Sequence, residues 1–178
     1  MEKILASQRI NKVLKKSRQK LEKELKVRLS EEKGFIVIDG KDAYAVYIAR
    51  NILDAIELGF EEGSALMLLN DDCMFEKINL KDYARPSRIK TIRGRVIGRE
   101  GKAKKVLQDL TDCSIVIHDN TIGIIGKTEN VDLAVRAIKS LIRGSPHSTV
   151  YTFLERNQRV LKDTKRELKD IESELEEK

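Results

Sequence analysis

The sequence predicts an α+β chain: two tandem units, each a three-stranded antiparallel sheet covered on one face by three helices, followed by a C-terminal helix. Three observations predict it. The first is an internal repeat of about 85 residues, in which Phe35-Ile-Val-Ile-Asp-Gly40-Lys41 parallels Thr121-Ile-Gly-Ile-Ile-Gly126-Lys127. The second is that each of these β-rich runs precedes an amphipathic helical stripe: Ala49, Leu53, Ile56 and Gly59 in one copy, Ala134, Ile138, Leu141 and Gly144 in the other. Apolar residues at steps of three and four make one helix face, and the closing glycine is the expected left-handed stop. The third is that the remaining segments of the two copies are collinear, and an order of strand, helix, loop, helix, strand, strand, helix folds as a layered α+β unit.

In chain order, the first copy opens with an extended segment, Met1 to Ala6, and a helical segment. A loop follows at Leu14-Lys-Lys-Ser17, then a helix from Arg18 to Leu25 and strands at Lys26 to Ser30 and from Phe35. The second copy has an extended segment from Met74 to Leu80, a helical segment and a loop at Gly98-Arg-Glu-Gly101. A helix from Lys102 to Thr111 and strands at Cys113 to His118 and from Thr121 complete it. These segments place the first unit at 1–60, a linker at 61–73, the second unit at 74–145 and a last helix in 146–178. The linker is acidic at both ends, with an apolar turn, Ala65 to Leu69, expected to pack between the units. Pro146 cannot continue the preceding helix and Ser148 is placed to cap the next. Leu154, Leu161, Leu168 and Leu175 recur every seven residues. Asn157 and Thr164 fall on positions a coiled coil keeps apolar, so the reading is a solvated helix whose first turns, with Tyr151 and Phe153, dock on the second unit.

Charge is the most uneven property of the chain. Of 178 residues 36% are charged and the net charge is +6. From Arg85 to Lys105 there are nine cations (Arg85, Arg88, Lys90, Arg93, Arg95, Arg99, Lys102, Lys104, Lys105) and one anion, Glu100. That stretch carries +8 and the rest of the chain sums to −2. The excess surrounds Gly98 and Gly101, whose lack of side chains opens the backbone to a ligand just before a helix N-terminus. Backbone donors with concentrated cations suit a phosphate chain, and a Gly-x-x-Gly loop gripping four nucleotides is how KH domains bind single-stranded RNA.

Other chemistries lack their residues. A nucleotide P-loop needs glycine at 96 and Ser or Thr at 103, where Val96 and Ala103 stand; no Gly-x-Gly dinucleotide fingerprint occurs there. Cys73 and Cys113 are isolated, and His118 and His147 are the only histidines, so no metal site, cofactor or catalytic set is expected. No apolar run approaches 18 residues and Met-Glu-Lys-Ile-Leu-Ala lacks a signal peptide's apolar core, which predicts a cytoplasmic chain without a membrane partner. High Lys, Arg and Glu is also the composition of heat-adapted proteins.

A longer ordered set carries a family resemblance. Arg93-Gly-Arg-Val-Ile-Gly98-Arg-Glu-Gly101-Lys-Ala-Lys, Leu110-Thr111, Thr121 to Gly126, Ile142-Arg-Gly-Ser-Pro-His147, Val150-Tyr151 and Phe153-Leu-Glu-Arg156 resemble the archaeal two-KH ribosome-assembly proteins. These are counterparts of the eukaryotic small-subunit factor partner of Nob one. The resemblance is strong over 74–156 and weaker but collinear over 1–73. It implies a type I KH fold in each unit, no catalytic activity, and binding near the 3′ end of small-subunit rRNA. It also implies work beside an rRNA-processing nuclease and a link to the α subunit of translation initiation factor two.

The chain departs from the family pattern at Leu14 to Ser17, where archaeal relatives keep a second Gly-x-x-Gly. The first unit is therefore expected to have lost its nucleotide clamp and to contact the second unit, a protein, or RNA only through Lys12, Lys15, Lys16 and Lys20. The RNA-binding residues expected in the second unit are Arg93, Arg95, Val96, Ile97, Gly98, Arg99, Glu100, Gly101, Lys102, Lys104, Lys105, Ile115 and Ile117; Ile115 and Ile117, with Val106 and Leu107, are placed to line the groove or the core beneath it. His147 is expected to fix the turn into the last helix. Two other readings stay open: an RNA-binding adaptor in RNA decay or translation initiation, and a protein-interaction scaffold.

Overall fold

The computed structural model describes residues 2–160. The chain folds as β1 (Glu2–Leu5), α1 (Gln8–Leu25), β2 (Arg28–Glu32), β3 (Phe35–Asp39), α2 (Ala43–Leu58), α3 (Glu62–Leu66), β4 (Cys73–Asn79), α4 (Pro86–Ile97), α5 (Lys102–Thr111), β5 (Ser114–His118), β6 (Thr121–Lys127) and α6 (Thr128–Arg143). A last helix, α7, covers 147–160 of the described residues. Leu161, Thr164, Leu168 and Leu175, which carry most of the seven-residue spacing, lie outside them.

Two three-stranded antiparallel sheets form, in the orders β1-β3-β2 and β4-β6-β5. The orders are equivalent, so the repeat read from sequence is a repeat of topology. In each, the last strand in sequence lies in the middle, where it is paired on both sides: Ile36 opposes Ile4 and Glu31, and Ile124 opposes Glu76 and Ile115. Both sheet-covering helices end as the periodicity predicts, on Gly59 (φ 111°) and Gly144 (φ 106°), each with backbone bonds back into the last turn.

The first unit differs from expectation at one place. Leu14-Lys-Lys-Ser17 is not a loop. It is the middle of α1, an unbroken helix of 18 residues that starts at the Ser7 cap and ends at left-handed Lys26. The segment holds no glycine or proline to interrupt it, and Leu, Lys, Gln and Glu all favour helix. Ser17 is buried and donates a hydrogen bond to Glu62, the first residue of α3, while Arg18 reaches the carbonyl oxygen of Leu29. Where the second unit has two helices and a loop, the first has one helix. Its sheet is therefore covered by two long helices and not three.

The segment 61–73 holds α3 and a short 3-10 turn, Met67–Leu69, and sends Ala65 and Leu68 into the first core. The second sheet is covered on both faces, which period-two alternation in β6 explains. Ile122 and Ile124 point to the core under α4, α5 and α6. Ile125 joins the core of the first unit, together with half-buried Phe75 and Val116. Gly123 lies on that same outer face, and a Cβ there would fall 2.7 Å from the Phe60 ring and collide with Leu58. Phe60 meets Phe75 edge to face at 5.8 Å, and Lys77 pairs with Asp54 across the join.

Candidate nucleic-acid interface

The loop of the second unit is built from its flanking helices. Pro86 starts α4, and Ile89, Ile92 and Val96 bury one stripe of it in the second core. The helix ends where Gly98 adopts φ 74°, ψ 175°. Glu100 (φ 54°) and Gly101 (φ 77°) are left-handed, and α5 begins at Lys102. Three positive-φ residues in four reverse the chain tightly.

The two glycines are needed for different reasons. A Cβ on Gly98 would lie 2.5 Å from the Ala103 Cβ and 2.6 Å from its nitrogen, so Gly98 allows the chain to press against the first turn of α5. A Cβ on Gly101 would meet nothing within 4 Å. Gly101 supplies a backbone conformation and an uncovered approach to the helix N-terminus, which has no side-chain cap. An uncapped helix start directs N–H groups and a partial positive charge outward.

Arg99, Lys102 and Lys105 are exposed around this loop and Lys104 is half-exposed. Glu100 sits 3.7 Å from Lys102 with both side chains about three-quarters exposed, a pairing that solvent makes weak. Ile97 just before the loop, Val106 on α5 and Ile117 on β5 are partly exposed, whereas Val96 (0% exposed), Leu107 (0%) and Ile115 (2%) are core. Val96 and Ile115 are thus core side chains that do not reach the surface. Arg85, just before α4, and Arg88 and Lys90 within it are exposed, about two to three and a half turns from the loop.

Arg95 has a structural position. Its Nε and Nη2 donate to the carbonyl oxygens of Leu141 (3.3 Å) and Ser145 (2.7 Å), satisfying the C-terminal end of α6. His147 Nε2 then donates to the carbonyl oxygen of Arg95 at 2.9 Å, which fixes the entry to α7 as expected. Arg93 donates to the carbonyl oxygen of Asp119. Ser148 lies inside the first turn of α7, one residue past its start, so it is not the cap. Val150 and Leu154 are the buried anchors of α7; Phe153 is half-buried against the same core and Tyr151 packs on His147. His118 is exposed at the end of β5.

Two features of this surface had no distinct sequence signal. One is Ala103, whose backbone sets the tightness of the loop. The other is a groove between α6 and α7 lined by Arg136, Lys139, Arg143 and Phe153. Among the described residues no cluster of His, Cys, Asp and Glu suits a metal ion, and no helix is long and apolar enough to cross a membrane.

A KH domain-containing protein of Methanocaldococcus jannaschii is 38% identical to this chain over 163 residues, 88% of this chain and 72% of that one. Residues 74–159 match the family model described as a eukaryotic type KH domain, KH-domain type I, second domain of PNO1. The chain belongs to the archaeal KH-domain family homologous to PNO1. This is a family of KH-domain RNA-binding proteins and not of enzymes. Its eukaryotic relatives include RNA-binding protein pno1 of Drosophila pseudoobscura pseudoobscura, 37% identical over 110 residues (57% of this chain, 44% of that one). Another is pre-rRNA-processing protein PNO1 of Coccidioides immitis, 33% identical over 113 residues (62% and 44%). The chain spans less than half the length of these eukaryotic proteins. Among solved structures, that of the a/eIF2alpha-aDim2p-rRNA complex from Pyrococcus horikoshii holds a similar chain. It is 32% identical with a TM-score of 0.76, covering 89% of this chain and 93% of that one.

Proposed function

We propose that this KH protein binds single-stranded RNA near the 3′ end of small-subunit rRNA during ribosome assembly, through the Gly98-Arg-Glu-Gly101 loop of the second unit. The observation that carries the reading is the loop itself: positive-φ Gly98 turns the chain tightly against α5 and Gly101 leaves the uncapped start of that helix open, with Arg99, Lys102 and Lys105 exposed around it. The backbone N–H groups and these cations grip phosphates, while Ile97, Val106 and Ile117 offer apolar contact to bases. No aromatic ring belongs to this set, so binding rests mainly on charge.

In this reading residues 74–145 carry the clamp and 1–60 do not, since α1 runs unbroken through the equivalent position. The 61–73 segment joins the two units, and 146–178 extends the second. The rRNA in the Pyrococcus complex and the pre-rRNA processing named for the Coccidioides relative support the RNA and the pathway. The same complex supports the α subunit of initiation factor two as a protein partner. A place beside an rRNA-cleaving nuclease, and cytoplasmic residence, complete the proposal.

The test is binding to an oligonucleotide matching the 3′ end of small-subunit rRNA against a scrambled one, across a salt series. The expected result is preference for the rRNA sequence and a log–log salt slope of roughly −3, from about four phosphates at ~0.7 each. Equal binding to both sequences removes the rRNA-specific reading, and salt-insensitive or absent binding leaves only a protein scaffold.

A further inference from the structure

We infer that the groove between α6 and α7 is a second contact surface for single-stranded RNA, taking nucleotides that continue beyond the Gly98–Gly101 loop; this rests on the loop reading above. The groove encloses about 480 Å³. Arg136, Lys139 and Arg143 line it from α6 and Thr149, Val150 and Phe153 from α7. The three cations stand three and four residues apart, which places them on one stripe about 10 Å long. No carboxylate lines the groove, and none pairs with these cations among the described residues.

Two of the cations lie over rings. The Arg136 guanidinium lies 5.3 Å from the Phe153 centroid, and the Lys139 ammonium 6.0 Å from that of Tyr83. An Arg stacked on a phenyl ring presents its N–H groups edgewise to a phosphate, and the pair forms a stacking platform beside it. This supplies the aromatic contact that the loop lacks.

Position relates the groove to the loop. Arg95, one helical turn before Gly98, bonds the carbonyls of Leu141 and Ser145, and His147 bonds the carbonyl of Arg95. The end of α6 and the start of α7 are thereby fastened to the turn of α4 that leads into the loop. On this proposal a strand leaving the loop runs along α6 from Arg143 toward Lys139 and Arg136, the order in which they lie from the helix end that Arg95 holds. An acidic partner helix fits less well. Docking a helix in a groove needs several apolar pockets in series, and here Val150 is already buried, leaving Phe153 as the one large apolar side chain of the lining.

The experiment compares a tetranucleotide and a twelve-nucleotide RNA, both from the 3′ end of small-subunit rRNA, on the full chain. It uses the wild type, R136Q/K139Q/R143Q and G101D, with circular dichroism and thermal melting as fold controls. The triple variant should bind the tetranucleotide as wild type does. It should bind the longer RNA about tenfold less tightly, with the salt slope shallower by about 2, from three phosphates at ~0.7 each. G101D should weaken both RNAs. Unchanged affinity and slope of the triple variant for the longer RNA overturn the groove assignment. So does equal weakening of both RNAs, which would merge the groove with the loop site. Binding of an acidic helical peptide to wild type but not to the triple variant, with the longer RNA unaffected, overturns it in favour of a protein partner. If G101D leaves both RNAs untouched, the loop reading fails, whatever the triple variant does. Should the triple variant melt early, Arg143→Glu, an exposed single change, carries the same comparison.

Discussion

Gly98 and Gly101 look interchangeable in a Gly-x-x-Gly motif, and the structure separates them. Gly98 faces the Ala103 backbone at distances no Cβ tolerates, whereas Gly101 opens to solvent. Gly101→Asp is therefore the cleaner probe of phosphate binding, because aspartate accepts the left-handed region better than most residues and adds a repelling charge. Its RNA affinity should fall at least tenfold, while its stability should fall only by the roughly 1 kcal/mol that a side chain in a left-handed backbone costs, with no clash added. Gly98→Ala should instead cost about 1–3 kcal/mol of stability, as overpacking in a tight site does, visible in urea denaturation without any RNA. Equal stability of the two variants would contradict this division. The thiol of Cys113 makes a separate residue-scale prediction. Burial pushes its pKa up to about 11 from 9.0, against a smaller opposing effect of its hydrogen bond to the Thr111 carbonyl. A raised folded-state pKa favours the neutral thiol in the fold. Its stabilisation is complete below pH 9 and is lost as pH rises toward 11. Alkylation of native protein at pH 8 should be slow at Cys113 and become fast on adding denaturant; rapid native labelling would show the site to be open.

Among elements, α4 and α1 show how one topology yields two surfaces. Both follow the first strand of their sheet, but α4 breaks at Gly98 and α1 continues through Leu14 to Ser17. Without glycines at that place the chain has no loop at all: the helix runs straight through. Arg95 marks the opposite end of the same argument. Its position in the basic stretch suggested a phosphate contact, yet its guanidinium closes the end of α6. Arg95→Ala should destabilise the joint between α4, α6 and α7 by about 1.5–3 kcal/mol, the range for hydrogen bonds to charged groups, measured by urea denaturation. Its effect on tetranucleotide affinity should be small beside that of Gly101→Asp. A stable Arg95→Ala protein with lost RNA binding would return Arg95 to the phosphate set.

For the molecule as a whole, the decisive contact is between the first unit and the outer face of the second sheet. Leu58 and Phe60, at the end of α2 and beyond it, sit over Gly123, and Ile125 contributes to the first core. The units therefore share apolar burial, and the sheet has no open face left for a ligand. The proposed RNA site therefore falls on the helical side and its edge, where the loop lies. Gly123→Val should force Leu58 and Phe60 aside and cost about 1–3 kcal/mol by overpacking. In a thermal melt it should broaden or split a single transition. A variant melting as sharply and as high as the wild type would show that the units do not depend on this join.

Much of this protein was set by local sequence. The repeat around Gly40 and Gly126, the stripes ending at Gly59 and Gly144, and the cations around Gly98 are regularities of three to seven residues, and they correctly predicted strands, helices and the charged loop. The continuity of α1 is local too: Leu14 to Ser17 holds no glycine, and its residues favour helix, whereas the repeat points to a loop at that place. What the sequence did not determine lies between residues far apart in it. That Val96 and Ile115 are core, that Arg95 answers the carbonyls of Leu141 and Ser145, that Gly123 makes room for Phe60, and that Arg136 stacks on Phe153 all depend on how packed elements meet. Periodicity states which face of a strand or helix is apolar; only the tertiary structure decides what that face is pressed against.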